Sequence, residues 1–442
     1  MKTGDTSSTI PCIVSNVLRF VVAAAFIISG FVKAVDPLGT VYKLNDYAEA
    51  FHLSSIIPSE LLLPATMLLC LFEFILGICI LFCIWRRTAL TAALVFIGLM
   101  TPITLILAIN NPVSDCGCFG DAIILTNWQT FEKNVVLLTF LIFILFNNHR
   151  LVRLIHYSWQ WIIITFAIVS MYVFMEHNLR HLPVIDYRAY HVGANLEESM
   201  KIPEDAPQAR FETLFTLTRD GKEREFTLED YPDSTWTFVR SRSMLIDPGY
   251  VPPITDFALI DADGEDLTDT LFEPGWTFLL VMNSLRGEDM LDAINDLYDY
   301  SSLYGCNFYA LTSATSDRVE KWKENTGARY QIFHMDDITL KTIIRSDPGL
   351  LLIHDGIIVN KWSRHDLPGD ELFSGPPETQ EWTTCSAQEV EKKHLRAILW
   401  MFLPYLFIAL LCFFVPHSEE DHQQKAYRKR RLKKQEKIIQ PH

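Results

Sequence analysis

Six apolar segments, separated by polar loops, dominate the pattern of the chain. A helix that crosses a bilayer needs about 20 predominantly apolar residues. The segments that approach or meet this length are Ile13–Val35, Leu61–Ile84, Ala89–Ile109, Phe131–Phe146, Trp159–Met175 and Ala397–Val415. The fourth is short, with Glu132, Lys133 and Asn134 near its start. No small-residue cleavage site follows the first segment, which we interpret as a retained anchor. The pattern predicts a helical membrane protein with six spans.

Basic residues in the short loops predict the orientation of these spans. Arg86 and Arg87 follow the second span, and Arg150 and Arg153 follow the fourth. Eight more bases lie between Lys425 and Lys437, after the sixth span. All three clusters fall on one side if both termini are cytoplasmic, as the positive-inside rule requires. Loops 36–60 and 110–130 and the whole of 176–396 are then exported, and the inner membrane of a bacterium is the expected location.

The exported segment begins with a β-rich region, 178–250. Phe211–Thr218 and Glu225–Leu228 flank an Asp220-Gly221 pair, which is a hairpin signal. Thr235–Val239 adds a further strand-like run. We find no catalytic constellation in this region.

Residues 251–367 alternate between strand and helix patterns. A hairpin is predicted around Asp263-Gly264 in VPPITDFALIDADGEDL. It is followed by strands at Thr277–Met282, Phe308–Thr312 and Tyr330–His334, helices at Glu288–Leu303, Asp317–Glu324 and Ile338–Ile344, and a closing hairpin of Gly349–Ile353 and Ile357–Trp362. This order is that of a thioredoxin fold. Pro348 then stands where that fold places a cis-proline, with an ordinary turn proline as the alternative.

Charge separates the two halves of the 442-residue chain. Residues 176–395 hold 40 of the 53 acidic and 20 of the 38 basic residues, a net charge of −20. With so acidic a chain, nucleic acid is not an expected partner, and the basic tail is best explained by topology and contact with anionic lipid. Nine cysteines are too few for a small disulfide scaffold. The 12% aromatic content excludes disorder for most of the chain.

The sharpest local motif is Asp115-Cys116-Gly117-Cys118-Phe119-Gly120-Asp121, in the loop after the third span. Two cysteines at this spacing close a disulfide only through a small, strained ring, for which Gly117 supplies backbone freedom. Strained, accessible disulfides are the labile, oxidising kind. Cys116 and Cys118 are therefore a candidate redox pair. An inert pair and a metal site remain alternatives, although the loop offers no third soft ligand and no metal is predicted.

Two charged residues in the spans are weaker candidates for function. Glu73 lies midway through the second span and requires a partner or a neutralising proton. A lysine on a neighbouring helix could supply that partner. Lys33, with Asp36, lies at the outer end of the first span, where snorkelling to the interface is the expected behaviour.

Three sequence stretches in the first four spans resemble the DoxX/MauE family of bacterial four-helix membrane proteins. They are SGFVKAVDPLGTVYKLNDYAEAF, FEFILG and SDCGCFGD, within residues 12–147. The resemblance implies thiol or sulfur redox chemistry at the outer membrane face. It points to Cys116 and Cys118, with Glu73 and Lys33 as weaker candidates. It also implies a separate thioredoxin-like partner and a membrane quinone as a possible electron carrier.

Residues 250–367 resemble the TlpA/AhpC-type thioredoxin-like family, with one departure. The active-site Cys-x-x-Cys should lie near Asn283–Asp289, where the sequence is NSLRGED. Cys306 stands at the start of the next strand, where burial explains it best. Without thiols such a domain cannot exchange disulfides, but the groove beside Pro348 could bind an extended peptide. The resemblance implies a binding module for an exported client.

The chain is accordingly divided into seven parts. These are a four-helix membrane domain (1–147), a fifth transmembrane helix (148–177), a β-rich region (178–250), a thioredoxin-like domain (251–367), a linker (368–396), a sixth transmembrane helix (397–415) and a basic cytoplasmic tail (416–442). Two functions stay open, namely thiol redox chemistry or protein maturation at the membrane, and non-enzymatic assembly of the cell envelope.

Overall fold

The structure is a computed structural model of the full chain. It describes residues 6–113, 117–155, 157–208, 210–219, 222–233, 235–247, 249–261, 263–285, 290–369, 375–383 and 387–414. The chain folds into two compact units. One is formed by Met1–Tyr187 with Ala387–His442, and the other by Arg188–Ser386. Each is described by itself below.

The first unit is a helical bundle. Its helices are α1 (Thr6–Val35), α2 (Pro37–Ala50), α3 (Leu62–Phe82), α4 (Arg86–Asn110), α5 (Asn127–Phe146) and α6 (Gln160–Arg180), joined by the helix Ala387–Phe414 from the end of the chain. Within the described residues, six helices are long and apolar enough to cross a membrane. Large apolar side chains such as Leu68, Leu99 and Phe407 face outward, as expected where a helix surface meets lipid. The six predicted spans are confirmed.

Two predictions about the first unit were wrong in detail. The fourth span begins at Asn127 rather than Phe131, because Thr126 and Gln129 form a capping box that starts the helix before the apolar run. The loop predicted at 36–60 contains helix α2. The side chain of Asp36 caps this helix by accepting a hydrogen bond of 2.9 Å from the Gly39 amide, and Pro37 occupies the first helical turn.

Helices α1 and α3 approach closely because glycine stands at their crossing. A methyl group built on Gly30 would lie 2.7 Å from the backbone nitrogen of Phe74 and 2.9 Å from the carbonyl oxygen of Cys70. Small residues allow this kind of backbone approach between membrane helices. The consequence is that side chains on facing turns of α1 and α3 can meet inside the bundle.

The second unit begins with a three-stranded antiparallel sheet. After the short helix α7 (Leu196–Met200), the strands are β1 (Arg210–Arg219), β2 (Lys222–Phe226) and β3 (Thr237–Asp247), in the order β2-β1-β3. Strands β1 and β2 form the predicted hairpin, with Arg219 opposite Lys222. The β-rich region is confirmed.

A five-stranded sheet forms the rest of the second unit. Its elements are β4 (Trp276–Val281), α8 (Leu291–Leu303), β5 (Asn307–Thr312), α9 (Ser316–Thr326), β6 (Gln331–His334), α10 (Asp337–Ile343), β7 (Gly349–His354) and β8 (Ile357–Ser363). The strand order is β6-β5-β4-β7-β8. Strands β4, β5 and β6 are parallel, whereas β7 pairs antiparallel with β4 and with β8. This is the thioredoxin-type arrangement that the sequence predicted.

The five-stranded sheet packs against an apolar core, and residues outside the sheet pair with both of its edge strands. Buried side chains from β4, α8 and β7, including Phe278, Ile294 and Leu350, pack together. The hairpin predicted at 251–267 is reduced to a single bridge between Ile260 and Asp266, and Ile260 also pairs with His334 beside the β6 edge. At the other edge, the amide of Gly193 donates to the carbonyl oxygen of Ile358.

The helix that begins at Ala387 is named α11. The predicted linker, 368–396, is therefore shorter than expected, because its last ten residues are helical. This part of the helix was not predicted because its residues are largely charged. A helix that leads into a membrane span can be polar in its first turns.

Candidate functional site

A buried ion pair links α1 and α3. The ammonium nitrogen Nζ of Lys33 lies 2.9 Å from Oε1 and 2.7 Å from Oε2 of Glu73. Lys33 is 7% exposed and Glu73 is 4% exposed. Snorkelling of Lys33 is therefore the wrong interpretation, because the carboxylate of Glu73 compensates its charge inside the bundle. The lysine partner expected for Glu73 is present.

Ser29 connects this ion pair to the cysteine loop. It lies one helical turn before Lys33, and its Oγ accepts a 2.9 Å hydrogen bond from the lysine Nζ. The hydroxyl of Ser29 lies 2.8 Å from Oε2 of Glu73 and 2.8 Å from the carbonyl oxygen of Cys118. One hydroxyl carries a single proton, so it donates to one of these acceptors at a time. Ser29 was not among the residues predicted from the sequence, although its spacing of four from Lys33 was the available signal.

The cysteine loop is described from Gly117 onward. Cys116 lies outside the described residues, so its pairing with Cys118 stays a prediction. Gly117 has a φ of +62°, a left-handed conformation that glycine adopts without strain. A methyl group built on it would lie 3.3 Å from Cγ of Lys43, so the lysine stem packs against this glycine. Cys118 is half-buried, and Nζ of Lys133 lies 4.7 Å from the ring centroid of Phe119.

These groups line one cavity of about 440 Å³ in the bundle. Helices α1 to α5 and the loop Gly117–Phe119 contribute to its wall, and Ser29, Lys33, Glu73 and Cys118 are among the lining residues. Asn134 also lines it and donates a hydrogen bond of 3.2 Å to Thr104. The structure thus brings three of the four predicted membrane-site residues, Lys33, Glu73 and Cys118, to one place.

The remaining cysteines of the bundle are distant in sequence from the loop. Cys70 and Cys79 are buried among apolar side chains, as predicted for small hydrophobic residues. Cys83 is also buried, but its sulfur accepts a 2.6 Å hydrogen bond from the guanidinium group of Arg19. Among the described residues, no three His, Cys, Asp or Glu side chains cluster in a way that could hold a metal ion.

The second predicted site surrounds Pro348 in the thioredoxin-like domain. The Asp347–Pro348 peptide bond is cis, as the sequence predicted. The Ser284 hydroxyl, just beyond the end of β4, donates a hydrogen bond to Oδ2 of Asp347. This contact ties the cis-proline loop to the segment where a thioredoxin carries its thiols. Within the described residues, the second carboxylate oxygen of Asp347, Oδ1, is buried and has no hydrogen-bond partner.

Cys306 does not belong to this segment. It is half-buried just before β5 and packs against the core of the sheet. Burial, together with the Glu378 carboxylate, raises the pKa of the Cys306 thiol to about 11. At neutral pH this thiol is almost entirely protonated, and a protonated thiol is a poor nucleophile.

Two known families match parts of the chain. Residues 11–147 match the family described as methylamine utilisation protein MauE. Residues 211–248, which include β1 to β3, match a domain of unknown function, DUF8463. No curated protein sequence matches the chain significantly. The MauE part of the expected resemblance is confirmed.

Several solved structures are similar to part of the chain. One is the thioredoxin domain of a thiol-disulfide oxidoreductase from Bacteroides vulgatus, with 18% identity, 26% of this chain and 87% of that chain covered, and a TM-score of 0.23. A thiol:disulfide interchange protein from Bacteroides sp. has 18% identity, coverage of 26% and 80%, and a TM-score of 0.22. A thiol:disulfide interchange protein DsbE from Chlorobium tepidum has 15% identity, coverage of 32% and 92%, and a TM-score of 0.22.

The strand order of the five-stranded sheet and the cis-proline before β7 identify the thioredoxin-like fold of the second unit. The six apolar helices and the family match identify a membrane protein. The chain therefore joins a MauE-like membrane domain, residues 11–147, to a thioredoxin-like domain.

Proposed function

We propose that this protein carries out thiol–disulfide redox chemistry at the outer face of a bacterial inner membrane, with Cys116 and Cys118 as the redox pair. The observation that supports this most directly is the position of Cys118. It lines a cavity together with the buried Lys33–Glu73 pair, and its carbonyl oxygen is within hydrogen-bond distance of Ser29. A cysteine near a lysine in a partly enclosed site is placed for thiolate chemistry.

The reaction balances as a dithiol–disulfide exchange. Two thiols of an exported client reduce the Cys116–Cys118 disulfide, so that the client gains a disulfide and the loop gains two thiols. Lys33 stabilises negative charge on Cys118 as the disulfide opens. Glu73 is the candidate for proton uptake and release, because it is the carboxylate that Ser29 connects to the backbone of Cys118.

Reoxidation of the loop requires an acceptor of two electrons and two protons, and a membrane quinone supplies that chemistry when bound. The cavity described above is suited to the ring of a quinone. Its apolar wall includes Phe26, Phe96 and Leu137, and Asn134 offers an amide N–H to a carbonyl oxygen.

The thioredoxin-like domain is proposed to bind the client or a separate thioredoxin partner. Since NSLRGED contains no cysteine, the domain has no thiol pair at the usual position. The groove beside the Asp347–Pro348 loop, which the Ser284 hydroxyl holds through Oδ2 of Asp347, is the proposed binding place for an extended peptide of the client. An Asp347→Asn variant should weaken client capture while leaving the redox state of the cysteine loop unchanged.

Thiol trapping on native membranes tests the redox proposal. Free thiols are blocked under acid quench, disulfides are then reduced and mass-tagged, and peptide mass reports the state of Cys116 and Cys118. A mixed population that shifts on addition of quinone or reductant is expected. The double variant Cys116→Ser and Cys118→Ser should lose client disulfide formation. Cys79→Ser, which changes a buried cysteine elsewhere in the bundle, is the matched control.

A loop that stays fully reduced or fully oxidised under both treatments would contradict the proposal. It would favour the second function, non-enzymatic assembly of the cell envelope, for which the missing Cys-x-x-Cys is the specific observation. A stable partner that still binds the double-serine variant would support this second function.

A further inference from the structure

The edge of β3 that faces away from β1 is unpaired among the described residues. This strand, Thr237–Asp247, is the longest of its three-stranded sheet and lies at one end of the order β2-β1-β3. Its backbone pairs with β1, and the described residues outside this sheet make no backbone hydrogen bond to it. A strand edge of this length presents a row of N–H and C=O groups with which another chain can pair.

The register of β1 and β3 gives this edge a cationic face and an apolar face. Arg240 stands opposite Thr216 of β1, and Arg242, two residues along the strand, shares its face. Phe238 stands opposite Leu217 and therefore lies on the other face. Both arginines are exposed, and Phe238 is 53% exposed. A strand that pairs with this edge meets positive charge on one side and an aromatic ring on the other.

The positive charge of β3 is not balanced within its sheet. From Thr237 to Met244 the strand carries two arginines and no acidic residue. Within the described part of the sheet, the one ion pair of these arginines joins Arg242 to Glu225 at 3.6 Å, and both side chains are exposed. An exposed ion pair contributes little. Because opposite charges directly across from each other stabilise strand pairing, acidic residues are the complement of this face.

A second copy of β3 fits this edge poorly. Antiparallel self-pairing centred on Arg240, Ser241 or Arg242 would place arginines of the two copies opposite each other. Like charges directly opposite each other destabilise a sheet. The edge is therefore suited to a strand of different composition, in which acidic residues face the arginines and apolar residues face Phe238.

We infer that β3 binds an extended segment of a partner protein by strand addition, and that acidic and apolar residues alternate in this segment. Main-chain hydrogen bonds supply the affinity in this mode of recognition, and the alternating side chains supply the specificity. The inference involves neither the cysteine loop nor the groove beside Pro348, so it goes beyond the proposed function and does not depend on it.

Fluorescence anisotropy with the full-length protein in phosphatidylcholine nanodiscs tests the inference, and empty nanodiscs correct for binding to lipid. The probes are three fluorescein-labelled peptides in which valine alternates with glutamate, glutamine or lysine. The salt concentration is about 0.15 M, at which charges more than about 8 Å away are largely screened. We expect the glutamate peptide to bind about tenfold more tightly than the glutamine peptide, because two cross-strand ion pairs contribute up to about fivefold each.

N-methylated forms of the glutamate peptide test whether it binds as an added strand. In an extended peptide, the N–H groups of alternate residues point to opposite sides. Methylation of one alternate set therefore removes the donors to β3, whereas methylation of the other set leaves them in place. One methylated peptide should lose binding and the other should retain it. Equal affinities of the two methylated peptides would overturn strand addition.

Charge reversal locates the site on β3. The double variant Arg240→Glu and Arg242→Glu should bind the lysine peptide more tightly than the glutamate peptide, the reverse of the wild-type order. The matched control is Lys222→Glu with Arg224→Glu, which makes the same change of net charge on exposed residues of β2, at the other edge of the sheet. This control should keep the wild-type order.

Two results would overturn the inference. One is equal binding of the glutamate and glutamine peptides to the wild type, or an order that the double variant at Arg240 and Arg242 does not reverse. The other is failure of all three peptides to bind while Ser241→Cys copies cross-link to each other, which would show that a second copy occupies the edge.

Discussion

At the scale of single residues, Lys33 and Glu73 depend on each other. Both are buried, and loss of one partner would leave an uncompensated charge inside the bundle. Glu73→Gln or Lys33→Met should each lower the free energy of unfolding by about 3–5 kcal/mol. The double variant should lose less than the sum of the two. Thermal unfolding in detergent measures these effects, and strictly additive losses would show that the pair is not coupled.

Ser29 is expected to restrain the cysteine loop. Ser29→Ala removes the hydroxyl that lies 2.8 Å from the carbonyl oxygen of Cys118. A single hydrogen bond contributes about 1 kcal/mol, so alkylation of Cys118 should become about fivefold faster. The control is Ser170→Ala, because Ser170 is a serine of another span whose hydroxyl contacts Tyr405 instead. Equal alkylation rates in wild type and Ser29→Ala would contradict a restraining role.

Cys306 should be unreactive at neutral pH. With a pKa of about 11, roughly one Cys306 in a thousand is a thiolate at pH 8. The raised pKa means that the alkylation rate rises with pH until the pH passes about 11. In urea-unfolded protein the same thiol should titrate with a pKa of about 8.5. A midpoint near 8.5 in the folded protein would show that the core does not bury this side chain.

At the scale of elements, the α1–α3 crossing decides whether the membrane site can form. Gly30→Ala places a methyl group 2.7 Å from the backbone of Phe74, so the helices must separate. Overpacking of this kind costs about 1–3 kcal/mol. Gly98→Ala is the matched control, because a methyl group there meets nothing within 4 Å. Melting temperatures of the two variants test this, and equal values would argue against tight packing at Gly30.

The observed boundaries of strands and helices show which local sequence signals are enough to predict an element. Strands β4 to β8 follow from short apolar runs between turn residues, and they lie within a residue or two of their predicted positions. The start of α5 was missed because a capping box, rather than hydrophobicity, begins this helix. Helix α2 was missed because its mixed polarity resembles a loop, while Asp36 and Pro37 were the only signals of its start.

At the scale of the whole molecule, orientation in the membrane is the next property to test. The basic clusters predict that 176–396 is exported and that the tail is cytoplasmic. An impermeant thiol reagent should label Ser302→Cys in intact spheroplasts, since Ser302 is exposed. It should label Ser418→Cys only after lysis. The reverse pattern would invert the topology and would place the cysteine loop at the cytoplasmic face.

The sequence by itself determined the six spans, the succession of strands and helices along the thioredoxin-like domain and the absence of thiols from NSLRGED. These properties follow from length, hydrophobic period and residue identity, which are local. Only the tertiary structure decided that Lys33 meets Glu73, that Ser29 bridges this pair to Cys118, and that these residues line one cavity. Contacts between helices depend on which turns face each other, and in α1 and α3 that depends on a glycine crossing whose partner turn no local pattern reveals.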